Sequence, residues 1–218
     1  METAETTKKT RCYRQFCGVA KALDVVGERW TLLIVRDLLL GPWRFKDLLE
    51  RLPGIPTNLL AARMREMLAS GLVRLRKLPA PASGAVYELT DVGRELEPVC
   101  LALGKFGQRF MTAPAPDEKL DIGWALLSLK RRFQGGACSI TLQVGAEAFQ
   151  IRASSTYVDV RAGTPYELEL QASLTPDSLR QLLFRDTSAQ VLEDAGRLFV
   201  AGPRYEWRRF LACFNLRD

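Results

Sequence analysis

An α+β protein in two parts is predicted by three observations. Between residues 43 and 90, two short amphipathic helices, a tight turn and a hairpin follow one another closely. A long apolar helix comes next, and nothing in that first half is left to cover it. Beyond residue 112 alternating strands replace the helical periods. The expected architecture is α+β: an N-terminal winged helix-turn-helix with a dimerisation helix, followed by an α+β domain with an antiparallel sheet. The expected domains are residues 1–111 and 120–218, joined by a linker at 112–119.

The segment WRFKDLLERLPG (43–54) reads as a short helix with Phe45, Leu48, Leu49 and Leu52 inward. Pro53 and Gly54 end it and turn the chain. In the next helix, at 100° per residue, Leu60, Met64, Met67 and Gly71 fall within about 60° of one another and form the core face. Asn58, Ala62, Arg65 and Ala69 lie nearly opposite. A solvated helix face usually carries mixed charge pairs. A face of small residues with one Asn and one Arg allows close approach, and these two side chains can pair bidentately with adenine and guanine in a major groove. An ordinary amphipathic helix is the plain alternative. Two helices joined by a tight turn place the second as reader.

LVRLRKLPAPASGAVYELT (72–90) alternates, breaks at PAPASG and alternates again, which predicts a hairpin. Arg74, Arg76 and Lys77 are concentrated on its first strand. A solvated edge strand can carry the same charges. A hairpin directly after a reader helix, however, is the wing of a winged helix.

Charge distribution supports a polyanionic partner. The net charge is +6, and residues 1–116 hold 18 Lys and Arg against 12 Asp and Glu, while residues 117–218 hold 13 of each. The whole excess lies on the side where phosphate contacts would be made. No run of 18 apolar residues exists, so no membrane span is expected. METAETTKKT lacks the apolar core of a signal peptide, and a cytoplasmic location is expected.

The run CGVAKALDVVGERWTLLIVRDLLLGPWRFKDLLERLPGIPTNLLAARMREMLASGLV, closing with YELTDVGREL, resembles the HxlR family of bacterial transcriptional regulators over roughly residues 15 to 110. The resemblance rests on Cys17, the GERWTLLI stretch, LLLGPWRFKDL, the PGI turn and YELT-x-x-G. It implies a homodimer that binds inverted-repeat operators in double-stranded DNA, with the reader helix in the major groove and the wing on the minor groove or backbone. Carried over by position, the readers lie between Thr57 and Arg65, so the candidate DNA contacts are Thr57, Asn58, Ala61, Ala62, Arg63, Arg65, Arg74, Arg76 and Lys77. Pro56 stands where the family often has Ser or Thr. Either Thr57 takes over the N-cap or Pro56 sits in the first turn.

DVGRELEPVCLALGKFGQRFM (91–111) places Val92, Leu96, Val99, Cys100, Leu103, Phe106 and Phe110 on one side at helical spacing, with Pro98 and two glycines as points of kinking. Such a face needs a partner. The same helix of a second copy, aided by residues 13 to 25, is the natural one, with Leu96, Val99, Leu103 and Phe106 at its centre. Packing onto the C-terminal half is the alternative.

After the proline-rich linker TAPAPDEK, DIGWALLSLKRRF reads as a helix. ACSITLQV, EAFQIRAS, TYVDVRAG and YELELQAS read as four meandering strands. TPDSLRQLLFRD and SAQVLEDAG read as helices, RLFVAG as a strand and PRYEWRRFLACF as a closing helix. The order, the S/T-P-D-x-L-x-x-L-L helix and the closing A-G-R-L-x-V-x-G-x-x-x-x-W-x-x-F pattern resemble the sterol carrier protein type two fold over about residues 118 to 214. That resemblance implies a small hydrophobic ligand held between sheet and helices. The pocket candidates are Ile140, Leu142, Phe149, Ile151, Leu168, Leu170, Leu182, Leu183, Trp207 and Phe210. A closed domain serving assembly or stability has the same apolar spacing.

The chain has no histidine, which removes Ser-His triads, His-based metal sites and most general acid–base schemes. No phosphate-binding glycine pattern occurs. No enzyme activity, cofactor or metal is expected. The five cysteines include no C-x-x-C pair, and their odd number argues against a disulfide framework. Cys17 occupies the place of the cysteine used by redox- and quinone-sensing HxlR members, with Gly18 where that family usually has Pro. Arg14, Lys21 and Lys9 are near in sequence and would lower its pKa. A lone cysteine serves equally as a small apolar residue. Two functions compete. One is an HxlR-type regulator with a C-terminal apolar effector. The other is a lipid-carrier or scaffolding protein in which the winged helix mediates protein contacts.

Overall fold

The structure is a computed structural model that describes residues 12–79, 83–111, 120–163, 169–184 and 187–218. The chain forms two compact units, one of Met1–Val35 with Trp43–Arg94 and the other of Arg36–Pro42 with Glu95–Asp218. The expected linker at 112–119 lies outside the described residues. The second unit includes residues 95–111, most of the helix that sequence reading assigns to the N-terminal domain.

The first unit begins with α1 (Gly18–Val26) and α2 (Thr31–Leu38), whose last three residues belong to the second unit. Next come α3 (Phe45–Arg51) and α4 (Thr57–Ala69). The strands β1 (Val73–Lys77) and β2 (Ala85–Leu89) pair antiparallel, from Val73 opposite Leu89 to Lys77 opposite Ala85. Residues 80–82 of the expected tip lie outside the described residues. Helix α3 starts two residues later than the sequence suggests, because Trp43 pairs with Tyr87 as a third, one-residue strand of the wing. The core gathers Ile34, Leu48, Leu52, Leu60, Met64, Met67 and Leu89. Gly71, expected inward, is exposed with φ +73 and ends α4 rather than lining it.

The T-x-x-G of YELTDVG has a steric cause. Thr90 N–H donates to the Leu72 carbonyl at 3.0 Å, and its hydroxyl accepts from Gly93 N–H at 3.1 Å. A Cβ on Gly93 would lie 2.1 Å from the Leu72 carbonyl oxygen, so only glycine fits. This clamp ties the wing to α5 (Asp91–Arg94).

The expected single helix over 91–111 is broken, its first four residues falling in the first unit and the rest in the second. It becomes α5 and α6 (Glu97–Gly107), the latter followed by a 3₁₀ turn at Gln108–Phe110. Pro98 lies in the first turn of α6, where its missing N–H is harmless, so it starts a helix rather than kinking one. Next is α7 (Ile122–Leu127), capped by the Asp121 carboxylate, which accepts from Trp124 N–H at 2.9 Å. Gly104 lets α6 lie close to α7, since a Cβ there would be 2.3 Å from the Trp124 ring.

The sheet runs β5-β4-β3-β6-β7, with β3 (Cys138–Val144), β4 (Glu147–Ala153), β5 (Val158–Ala162), β6 (Gln171–Leu174) and β7 (Leu198–Ala201). The expected four-strand antiparallel meander is therefore corrected. The fourth strand leaves the meander and pairs parallel with β3, with Leu142 opposite Ala172. Alternation assigns a strand its buried face but not its neighbour. It therefore cannot separate a meander from this crossover. Helices α8 (Pro176–Phe184), α9 (Ala189–Asp194) and α10 (Arg204–Cys213) complete the unit. Ile140, Ile151 and Val160 align across three strands on the buried side, while Ser139, Thr141 and Gln143 alternate away from it.

Candidate nucleic-acid interface

Helix α4 presents its expected faces. Leu60, Met64 and Met67 are buried, while Thr57, Asn58, Arg65 and Ala69 are exposed, with Ala61 and Ala62 half-buried. Pro56 is the N-cap, with extended backbone and no side-chain cap bond. The positive end of the helix is therefore not neutralised by a capping side chain. The Asn58 side-chain oxygen accepts from Leu59 N–H at 2.9 Å, which fixes the amide beside that end. Arg65 reaches back along the helix, its Nε donating to the Ala61 carbonyl at 3.4 Å.

Arg63 departs from expectation. It is only 6% exposed, is ion-paired to Glu66, and lies 3.7 Å from Glu28. It ties α4 to the segment before α2, and its guanidinium is engaged inside the unit rather than offered outward. Its position on the helix is about 60° from the centre of the buried face, where a long side chain goes either way.

The wing holds Arg74, Arg76 and Lys77 on β1, all exposed. A residue not anticipated from the sequence organises two of them. Glu88 on β2 accepts from Arg74 Nε at 2.7 Å and from Arg76 Nε at 2.8 Å. The Arg76 hydrogen bond, then that of Arg74, holds its carboxyl below the usual carboxylate range. Glu88 lies directly opposite Arg74 in the hairpin register, so counting from the loop would have found it.

Cys17 is exposed at the start of α1, and the backbone N–H groups of Ala20 and then Val19 lower its thiol pKa. The cause is the helix start and not the expected cations Arg14 and Lys21; Lys9 lies outside the described residues. Nearby, Asp24 accepts from Tyr13 N–H at 2.9 Å and Cys12 Sγ at 3.2 Å.

On α6 and the turn after it, Val99, Leu103, Phe106 and Phe110 are exposed, Leu96 is half-buried and Cys100 is buried. Phe106 and Phe110 meet edge to face at 5.2 Å.

The pocket candidates Ile140, Leu142, Phe149, Ile151, Leu170, Leu182, Leu183, Trp207 and Phe210 are all buried; Leu168 lies outside the described residues. Trp207 and Phe210 stack at 5.5 Å. Among Leu126, Leu142, Leu182, Leu183, Trp207 and Phe210 remains a void of about 10 Å³, near the least that admits one water. Among the described residues no cluster of potential metal ligands occurs, and no helix is long and apolar enough to cross a membrane.

Two helices in tandem, a tight Pro-Gly turn, an outward face of Asn, Arg and alanines, and a basic hairpin held by Glu88 define a winged helix-turn-helix protein. Its relatives narrow the class. The HxlR-like helix-turn-helix family matches residues 25–114. An uncharacterized helix-turn-helix-type transcriptional regulator of Synechocystis is 32% identical over 95 residues, which are 44% of this chain and 70% of that protein. One from Mycobacterium bovis is 36% identical over 97 residues, covering 44% of this chain and 61% of its own length. The transcriptional regulator YodB of Bacillus subtilis is 33% identical over 89 residues, covering 41% of this chain and 80% of that protein. The chain belongs to the HxlR-like helix-turn-helix family of transcriptional regulators. The matched part is less than half of it, and the five-stranded sheet lies wholly beyond.

Proposed function

We propose that the protein regulates transcription by binding double-stranded operator DNA as a homodimer. The observation that carries this reading is the outward face of α4. Asn58 and Arg65 stand on a surface otherwise small enough for close approach, at a helix start without a side-chain cap, with Arg74, Arg76 and Lys77 on the wing that follows. In this reading α4 enters the major groove, where Asn58 and Arg65 read base edges. The wing arginines contact phosphates or the minor groove. The exposed row Val99, Leu103 and Phe106 on α6 meets its copy in the partner, which gives the two-fold symmetry an inverted repeat requires. The packed interior of the second unit supports a structural role for it. An apolar effector is admitted only by a form in which α8 and α10 part.

A mobility-shift assay with the DNA flanking the protein's own gene tests the reading. Arg65→Ala is expected to cost roughly 1–3 kcal/mol and relax base preference. Arg76→Ala is expected to weaken all sequences alike and to lower the salt slope by about one unit. Unchanged affinity for both variants across several salt concentrations refutes the docking.

A further inference from the structure

Two of the cysteines lie together inside the second unit. Cys138 opens β3 and Cys213 closes α10; both are buried, and α10 packs on β3 so that the two thiols interact. The chain is built closely around the second sulfur. Gln134 N–H donates to the Cys213 carbonyl at 2.8 Å. The loop then turns through Gly135 and Gly136 at φ +100 and +102, and a Cβ on Gly136 would stand 2.9 Å from Cys213 Sγ. The glycine leaves that sulfur its space, two residues before Cys138.

We propose that Cys138 and Cys213 form a dithiol that closes to an intrachain disulfide under oxidation, fastening the end of α10 to the start of the central strand. With a peroxide as oxidant, one thiol loses its proton and its sulfur attacks a peroxide oxygen. The O–O bond breaks, and a sulfenic acid and one water result. The second sulfur then attacks the first, the S–S bond forms, the S–O bond breaks and a second water leaves. Two thiols and one hydrogen peroxide give one disulfide and two waters.

The surroundings set the order of events. Burial pushes the Cys138 thiol up to about 12, so little thiolate exists at neutral pH. Cys17, exposed and with its pKa lowered, reacts first. Closure of the buried pair therefore belongs to prolonged or strong oxidation. The loop it closes contains β4, β5, β6, α8, α9 and β7, so the crosslink restricts the unfolded chain over most of the unit.

The test uses the full chain with Cys12→Ser and Cys17→Ser, both exposed positions, which leaves three cysteines, Cys100, Cys138 and Cys213. The reduced protein is treated with hydrogen peroxide, quenched with N-ethylmaleimide in denaturant, digested without reduction and read by mass spectrometry. A linked peptide pair joining Cys138 to Cys213 is expected, about 2 Da below the summed thiol peptides, with Cys100 alkylated and the link reversed by dithiothreitol. The oxidised protein is expected to melt at a higher temperature than the reduced one. Cys138→Ser, added to this variant, is expected to abolish both effects. Full alkylation of Cys138 and Cys213 after such treatment, their separate oxidation to sulfinic acids, or a link from either to Cys100 overturns the proposal.

Discussion

Replacing Glu88 with glutamine separates what the wing does for DNA from what it does for itself. Glu88 is 12% exposed at its side chain and is shared by Arg74 and Arg76, whose side chains are 67% and 43% exposed. Both arginines can therefore swing to a phosphate at the cost of a partly screened pair, each pair contributing about 0–1 kcal/mol. With Lys77 the four residues carry a net charge of +2, from three cations and one anion, and Glu88→Gln raises it to +3. One more effective cation steepens the dependence of log K on log salt by about 0.9. That corresponds to roughly eightfold tighter binding at 0.1 M than the same change gives at 1 M. The folded hairpin is expected to lose about 1 kcal/mol over the two pairs. Affinity should rise while stability falls. Fluorescence-anisotropy titrations at four salt concentrations, beside thermal melts, read both. Because the carboxyl lies below its ordinary value in the folded chain, its stabilisation is fully present above about pH 4.3. It is lost as pH falls through the folded value, so at neutral pH the melts show the whole difference. Unchanged affinity and slope would remove the arginines from the phosphate contacts. Weaker binding would show that Glu88 holds them in their binding geometry. Either result refutes the reasoning.

Two other substitutions address assembly and the wing clamp. Leu103 is 47% exposed in the single chain and Gly104 beside it faces α7, so Leu103→Asp is expected to leave the fold intact and yield a monomer. Light scattering that finds a dimer of undiminished stability excludes this face from the interface. Gly93→Ala sets a methyl 2.1 Å from the Leu72 carbonyl oxygen and is expected to destabilise the first unit by about 1–3 kcal/mol. A thermal midpoint within about 2 °C of the wild type contradicts the clamp.

The helix-turn-helix was legible because each of its helices is short and strictly amphipathic, and because Pro53 and Gly54 leave one place for the turn. The wing was legible as a strand pair, but not as a charge network. Glu88 acquires its meaning only once register sets it opposite Arg74. Arg63 turns inward, against the expectation, which carries a whole segment over by family position and ignores its phase. On the helix it flanks the core, and Glu28 and Glu66 decide that it turns inward. The resemblance marked Cys17, but the agent that lowers its pKa is backbone N–H, which side-chain composition does not show. In the second unit nearly every strand and helix was placed within a few residues. The β3–β6 pairing escaped because every strand has the same apolar alternation, whichever neighbour it takes. The Cys138–Cys213 contact escaped for a related reason. Cysteines 75 positions apart carry no joint signal until a strand start and a helix end are brought to one corner.

The filled interior of the second unit constrains what a regulator of this design can sense. A pocket for an acyl chain needs some hundreds of Å³, and the leucines around Trp207 leave about 10 Å³. Admission of such a ligand therefore requires Leu182 and Leu183 on α8 to separate from Trp207 and Phe210 on α10. Each large side chain uncovered costs about 1.5–3 kcal/mol before the ligand recovers it. A ligand acts as a signal only through the difference in its affinity for the two forms, and that difference must exceed the opening cost before the open form prevails. The disulfide between Cys138 and Cys213 would pin the end of α10 and raise the cost further. On the proposal above, oxidation would therefore oppose the opening that an apolar ligand requires.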